Sequence, residues 1–132
     1  MINSNAFNFI NVLDKAADAS WARNEVISNN IANISTPNYK RKDIDFESYL
    51  ATAIKSSAAD SSLRQAVDRL DVGSMPIRTY TDHSNLSYRL DGNNVDIDTE
   101  NVELASNQIK YEALLDSISS EFNMLKTAMS KQ

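Results

Sequence analysis

From Ile10 to Ile34 an apolar or small residue returns in steps of three and four: Ile10, Leu13, Ala17, Ser20, Asn24, Ile27, Ile31, Ile34. That period presents one narrow stripe of an α-helix to a partner helix. Its middle, Ala17, Ser20 and Asn24, is small and polar, so a partner can approach closely there while burying little apolar area. A second series, Leu104, Gln108, Tyr111, Leu115, Ile118, Phe122, Leu125, Met129, has the same alternation, and neither proline nor glycine follows Gly92. The run from Asp98 therefore predicts one long helix. At 1.5 Å per residue the two helices span roughly 45 and 50 Å. Val102, Ala105, Ile109 and Leu114 form a further stripe on the second helix, and Phe7, Val12 and Val26 a looser one on the first. Surplus stripes imply neighbours beyond a single mutual pairing.

The segments between are punctuated differently. Pro37 disfavours α conformation at Thr36 and offers no amide hydrogen, so the first helix should end near Ser35. Thr36-Pro37-Asn38-Tyr39 then reads as a turn with Asn38 at positive φ. Asp98 is the expected N-cap of the last helix, with Glu100 favoured by the positive end of its dipole and Lys126 and Lys131 by the negative end. Ala51 to Leu70, rich in Ala, Ser, Asp and Arg, reads as either a weak helix or a mobile segment. Ile77, Thr79, Thr81 and then Leu86, Tyr88, Leu90 alternate with polar residues on either side of Asp82-His83-Ser84-Asn85, the pattern of a β-hairpin. The expected fold is mainly α: long N- and C-terminal helices pairing as a coiled coil, with a small irregular middle containing a short β-hairpin. In residue terms this is an N-terminal helix over 1–36, a middle region over 37–97 with the hairpin at about 77–90, and a C-terminal helix over 98–132.

Composition narrows the chemistry. The 132-residue chain is 42% apolar with only two glycines, which favours helix. Its net charge of -5 argues against a surface for phosphate or anionic lipid, and its one basic cluster, Lys40-Arg41-Lys42, is followed at once by Asp43, Asp45 and Glu47. No nucleic acid is expected as a partner. The absence of cysteine excludes disulfides and thiolate metal sites. The N-terminal residues lack the basic and apolar regions of a secretory signal, so work outside the cytoplasm would require another export route. The lone histidine, His83, falls in a turn, where no catalytic relay can be assembled around it. "DGNNVDIDTE", Asp91 to Glu100, hints at a calcium loop, but counting from Asp91 puts Val95 at position 5 and Asp96 where glycine is wanted, so it reads as a turn entering a helix. Trp21 reads as packing beside the first stripe. No enzyme, cofactor, metal or small-molecule substrate is expected.

Asn29, Asn30 and Asn33 stand among Ile27, Ile31 and Ile34 although asparagine is a poor helix former, so something must gain from them. "NNIANISTPNYKR", Asn29 to Arg41, resembles the Asn-Ile-Ala-Asn-x-x-Thr-Pro-Gly-Tyr-Lys signature of the axial proteins of the bacterial flagellum, those of the rod and hook. Leu90 to Met129 is similar to the C-terminal region of the proximal-rod members of that family, and the chain is too short for a large inserted domain. One departure is Asn38, where the family usually has glycine; asparagine is the next most tolerant residue at positive φ. The resemblance implies a structural rod subunit whose terminal helices associate and whose copies stack into a helical tube that transmits torque and encloses the export channel. It also implies partners: copies of itself, other rod proteins, the adaptor and membrane ring at the rod base, and the type III export apparatus that carries the unfolded chain to the periplasmic space. On this reading the subunit interfaces include Ile27, Asn30, Ile31, Asn33, Thr36, Pro37 and Tyr39 from the first motif, and Leu104, Tyr111, Leu115, Ile118, Phe122 and Leu125 from the last helix. Asn30 and Asn33 would bond laterally to neighbouring subunits and fix register. The competing reading is a soluble or secreted coiled-coil adaptor that binds one partner through the same stripes.

Overall fold

A computed structural model describes residues 5–57, 62–84 and 89–130. The elements are α1 (Asn5–Ala32), β1 (Lys42–Ile44), α2 (Glu47–Ser57), α3 (Leu63–Asp68), a 3-10 turn at Val72–Ser74, β2 (Thr79–Thr81) and α4 (Ile97–Ser130). Both long helices appear where the periodicity puts them. The chain divides into two compact units, one of Met1–Asp18, Phe46–Pro76 and Glu112–Gln132, the other of Ala19–Asp45 and Ile77–Tyr111.

The first unit has an apolar core. Val12, Val67 and Val72 are buried together, with Phe9, Leu50 and Leu70 packed against them. The Ala/Ser-rich stretch that read as a weak helix or mobile segment holds α2 and α3. Ser62 caps α3 reciprocally: its hydroxyl accepts from Gln65 N–H and its own N–H donates to the Gln65 side chain, which satisfies two backbone groups that six helical residues could not. Arg64 lies over the Phe9 ring, 5.6 Å from its centre, and pairs with Glu121 at 3.6 Å.

In the second unit the later part of α1 and the early part of α4 run antiparallel. Asn107 Nδ2 donates to Ser20 O (2.7 Å) and Asn24 Oδ1 (2.8 Å), and Trp21 meets Tyr111 with ring centres 5.9 Å apart. The small polar middle of the first stripe is thus where a side chain of the other helix enters. Trp21 itself is 63% exposed and flanks this contact instead of filling it. β1 and β2 pair antiparallel, with Asp43 opposite Tyr80. The strand expected over the first alternating run exists, but its partner is Lys42–Ile44, far upstream; Leu86 and Tyr88 lie outside the described residues, and Leu90 is exposed in a turn.

The inward side of α4 differs from the expected series at every second position. Its buried and half-buried residues run Glu100, Leu104, Asn107, Tyr111, Leu114, Ile118, Glu121, Leu125, with Glu103 and Lys110 half-buried beside them. Gln108, Leu115, Phe122 and Met129 are exposed. Both series share the column Leu104, Tyr111, Ile118, Leu125. The apolar side chains at 115, 122 and 129 make the outward column look like the seam, whereas the inward column is partly polar because it faces polar partners. Along the first stripe, by contrast, every residue from Ile10 on α1 to Ile34 in the turn after it is buried or half-buried.

Candidate functional site

The asparagine-rich motif closes a polar clasp in the second unit. α1 ends at Ala32, and the Asn33 and Ile34 N–H groups close its last turn on the carbonyls of Asn29, Asn30 and Ile31. The carbonyls of the turn that follows are taken by Asn93, fully buried and far downstream: its Nδ2 donates to Asn33 O (2.9 Å), Ile34 O (3.1 Å) and Thr36 O (2.9 Å). Arg89 Nη1 donates to Ile34 O at 2.7 Å and is held by Asp91. The turn then passes through Asn38 at φ 60, the expected left-handed position. Asn38 N–H donates to Asp91 O at 2.8 Å, and Lys40 Nζ donates to Gly92 O.

Two carboxamides extend the small sheet. Asp82 N–H donates to Arg41 O (2.8 Å), so by antiparallel alternation Lys42, opposite Thr81, turns its own N–H and C=O away from β2. Asn30, 0% exposed, fills that edge like a third strand: Lys42 N–H donates to Asn30 Oδ1 (3.0 Å) and Asn30 Nδ2 to Lys42 O (2.7 Å). Asn94 stands between the strands at the adjoining Arg41–Asp82 position, accepting from Arg41 N–H (2.7 Å) and donating to Asp82 O (2.7 Å) and Ser84 O (3.0 Å). No apolar side chain could satisfy these backbone groups, and a buried unpaired one costs about 1–3 kcal/mol.

The ionic part of the clasp centres on Arg41. It donates to Glu100, to Asp82 (3.2 Å) and to Asp43 (3.1 Å), while Arg23 takes Asp43 through Nε at 2.9 Å. Glu100 is 0% exposed and also accepts from Asn30 Nδ2 at 3.0 Å. Burial pulls the Arg41 pKa down, but the hydrogen bond to Glu100 and the charges of Glu100 and Asp43 outweigh it and raise the value above that of ordinary arginine. Burial first, and the Glu100 charge second, raise the Tyr39 phenol, which donates to Asn30 Oδ1 at 3.2 Å. Asp82 is lowered, chiefly by the Ser84 backbone N–H and hydroxyl and then by Arg41.

The residues expected at interfaces are distributed as follows. Ile27 and Asn30 are fully buried within the chain, and both ends of the Asn30 carboxamide are occupied there. Ile31, Asn33, Tyr39, Leu104, Tyr111, Ile118 and Leu125 are half-buried; Thr36, Pro37, Leu115 and Phe122 are exposed. Asn33 donates to Asn29 O (2.8 Å) and accepts from Thr36 Oγ1 (3.2 Å). Sequence reading missed Arg41, Asp43, Asn93, Asn94, Glu100 and Asn107. The stretch that hinted at calcium carries three of them, and its acids serve the chain: Asp91 holds Arg89, Asp96 caps α4 and Glu100 binds Arg41. Glu100, expected only to favour the positive end of the helix dipole, is a core residue.

Known proteins give this arrangement a context. The family model for flagella basal body rod proteins matches residues 10–40, which is the α1 stripe and the turn motif. The flagellar basal body rod protein FlgB of Bacillus subtilis (strain 168) is 39% identical over 117 residues, 89% of each chain. The chain belongs to the FlgB family of flagellar basal body rod proteins. FlgB of Escherichia coli (strain K12) is 34% identical over 106 residues, 75% of this chain and 76% of its own. FlgB of Borreliella burgdorferi is 40% identical over 102 residues, 71% and 75% of the two chains. As a member of the FlgB family this chain is a structural protein of the flagellar basal body rod, not an enzyme.

Proposed function

We propose that this chain is a subunit of the proximal rod, stacking with copies of itself and other axial proteins into a helical tube that transmits torque and encloses the export channel. The subunit reaches the periplasmic space through the type III export apparatus, and its neighbours at the rod base are the adaptor and the membrane ring. The observation that carries this reading is a division of labour along α4. Its inward column is used inside the chain, while Val102, Ile109, Leu115, Phe122 and Met129 stay between 42% and 70% exposed. Such a surface on a rod protein calls for neighbours. Thr36, Pro37, Leu115 and Phe122 are the contacts we assign to adjoining subunits.

Phe122→Asp tests the assignment without emptying a core, because the ring is already 49% exposed. The variant should be exported and fold, yet basal bodies seen by electron microscopy should lack complete rods. Lys55→Glu, an exposed change on α2, should leave rods and swimming intact. Complete rods with Phe122→Asp would refute the contact surface.

A further inference from the structure

The small sheet of the second unit has one sealed edge and one open edge. Along β1 the outward backbone is occupied: Lys42 exchanges both of its bonds with Asn30, and Ile44 N–H donates to Asp43 Oδ1 at 2.7 Å. Along β2 it is bare. Asp82 N–H donates to Arg41 O and Asp45 N–H to Arg78 O, so by alternation Thr79 and Thr81 turn their N–H and C=O groups away from β1. Every residue of the strand is exposed, and none of those outward groups has a partner among the described residues. The hairpin suggested by the alternating sequence would have returned Arg89 and Leu90 to this edge; Arg89 instead donates to Ile34 O, and Leu90 is exposed. A bare strand edge is a template for another strand. Here the sequence of the strand is complementary to itself: Arg78-Thr79-Tyr80-Thr81-Asp82 has the same residue types about Tyr80 and opposite charges at its two ends. Arg78 is exposed and has no ion-pair partner among the described residues, and Asp82, though held by Arg41 at 3.2 Å, keeps 24% of its side chain exposed.

We infer that β2 pairs antiparallel with β2 of a second copy, about a two-fold axis at Tyr80, joining the two small sheets into one. In that register each Thr79 faces the other copy's Thr81 in a hydrogen-bonded pair, giving about four main-chain bonds in all. Tyr80 faces Tyr80 in a non-hydrogen-bonded pair, and each Arg78 lies opposite the other copy's Asp82. A parallel, in-register pair would instead set Arg78 beside Arg78 and Asp82 beside Asp82. The contact uses only the middle of the chain, and neither terminal helix enters it. It covers far less than the roughly 800 Å² per partner of a standard interface, so it is weak and reversible. Its place rests on the proposed rod assembly. One repeated head-to-tail operation generates no two-fold contact, so the pair belongs to unassembled chains and covers the edge until they join the wall.

Disulfide trapping of the full chain, which has no cysteine of its own, is the test. Opposite residues of a non-hydrogen-bonded pair stand about 4.5 Å apart at Cα, within disulfide reach, whereas the two Thr79 residues in this register are more than about 7 Å apart. Under a mild oxidant Tyr80→Cys should form covalent dimers. Thr79→Cys alone and Thr81→Cys alone should not, and a mixture of the two should. Arg78→Glu added to the Tyr80→Cys chain should slow trapping about tenfold at low salt, because both charge pairs turn repulsive. Thr79→Pro should abolish trapping and leave β1 and β2 paired, since the N–H it removes points away from β1. Cells carrying Thr79→Pro or Arg78→Glu alone should still build complete rods. No dimer from Tyr80→Cys, self-dimers of Thr79→Cys as abundant as those of Tyr80→Cys, or trapping unchanged by Thr79→Pro would each overturn the inference. Rods lost with both Thr79→Pro and Arg78→Glu would overturn the assignment to unassembled chains. A chain that gives no dimer yet builds rods removes the pair and leaves the rod reading standing. A chain that traps as expected while its Phe122→Asp variant builds complete rods does the reverse.

Discussion

Two left-handed residues press against each other in the clasp, Asn38 at φ 60 and Gly92 at φ 73. A Cβ added to Gly92 would sit 2.8 Å from Asn38 Oδ1, closer than ordinary contact allows. Gly92→Ala therefore meets two costs, left-handed strain of about 1–2 kcal/mol and this collision. Asn38→Gly by itself should be close to neutral, since relief at positive φ offsets the extra freedom of the unfolded chain. Made together, the two changes should cost about 0.5–1 kcal/mol less than the sum of the single costs, because the glycine removes the atom with which the alanine collides. Urea unfolding of the four proteins in the cycle measures this coupling, and strict additivity would show that the turns do not touch. Asn38 was legible in the sequence because its requirement is local, set by the proline before it. Asn30 was legible only as an anomaly: a helix-breaking amide in a stripe signals a bond, but its acceptors lie 12 and 70 residues away.

At the level of elements, what the sequence revealed depended on how far away each element's partners lie. The two long helices follow from period, which is local; α1 ends at Ala32, three residues before the Ser35 that Pro37 suggested, because Asn33 and Ile34 already turn back on the last helical carbonyls. Strand β1 carried no alternating pattern, because its outer backbone is satisfied by a side chain of α1 and by no neighbouring strand. The start of α4 was misplaced by two residues for a related reason: Asp96 and Asp98 are equally good caps on paper. In the structure Asp96 Oδ1 accepts from Asp98 N–H at 3.0 Å and more loosely from Thr99 N–H at 3.4 Å, and its own carbonyl accepts from Glu100 N–H at 2.9 Å. Asp96→Ala should thus cost about 1 kcal/mol, while Asp98→Ala, one turn position inside the helix and exposed, should cost a few tenths. Thermal melts of the two variants decide between the caps; equal losses would argue against Asp96. The outward seam of α4 was readable because its residues are large and apolar, and the inward one was not, because Glu100, Asn107 and Glu121 look like surface residues until their partners are known.

Over the whole molecule the two units are held by different physics. The first buries Val12, Val67, Val72 and Phe46; the second buries Asn30, Asp43, Asn93, Asn94, Glu100 and Asn107 around little more than Ile27, Ile44 and Val95. Buried ion pairs and amides of this kind add little net stability over apolar residues of equal volume, but they accept only one arrangement. Here that arrangement sets where the start of α4 lies against the end of α1. Glu100→Leu alone takes from the Arg41 guanidinium its one fully buried partner, leaving Asp43 and Asp82, and should cost about 1–3 kcal/mol. Adding Arg41→Met removes the partly desolvated charge and should bring the melting temperature back most of the way, with Asp43 still held by Arg23 and Asp82 by the Ser84 N–H. Swimming should not return with it, because an apolar pair permits the helix ends to slide and the subunit contacts proposed for α4 then lose their register. Measuring stability and motility on the same two variants separates the roles. If both recover together in the double variant, the ionic node contributes stability alone, and the placement of α4 must be set by the Asn93 and Asn94 carboxamides.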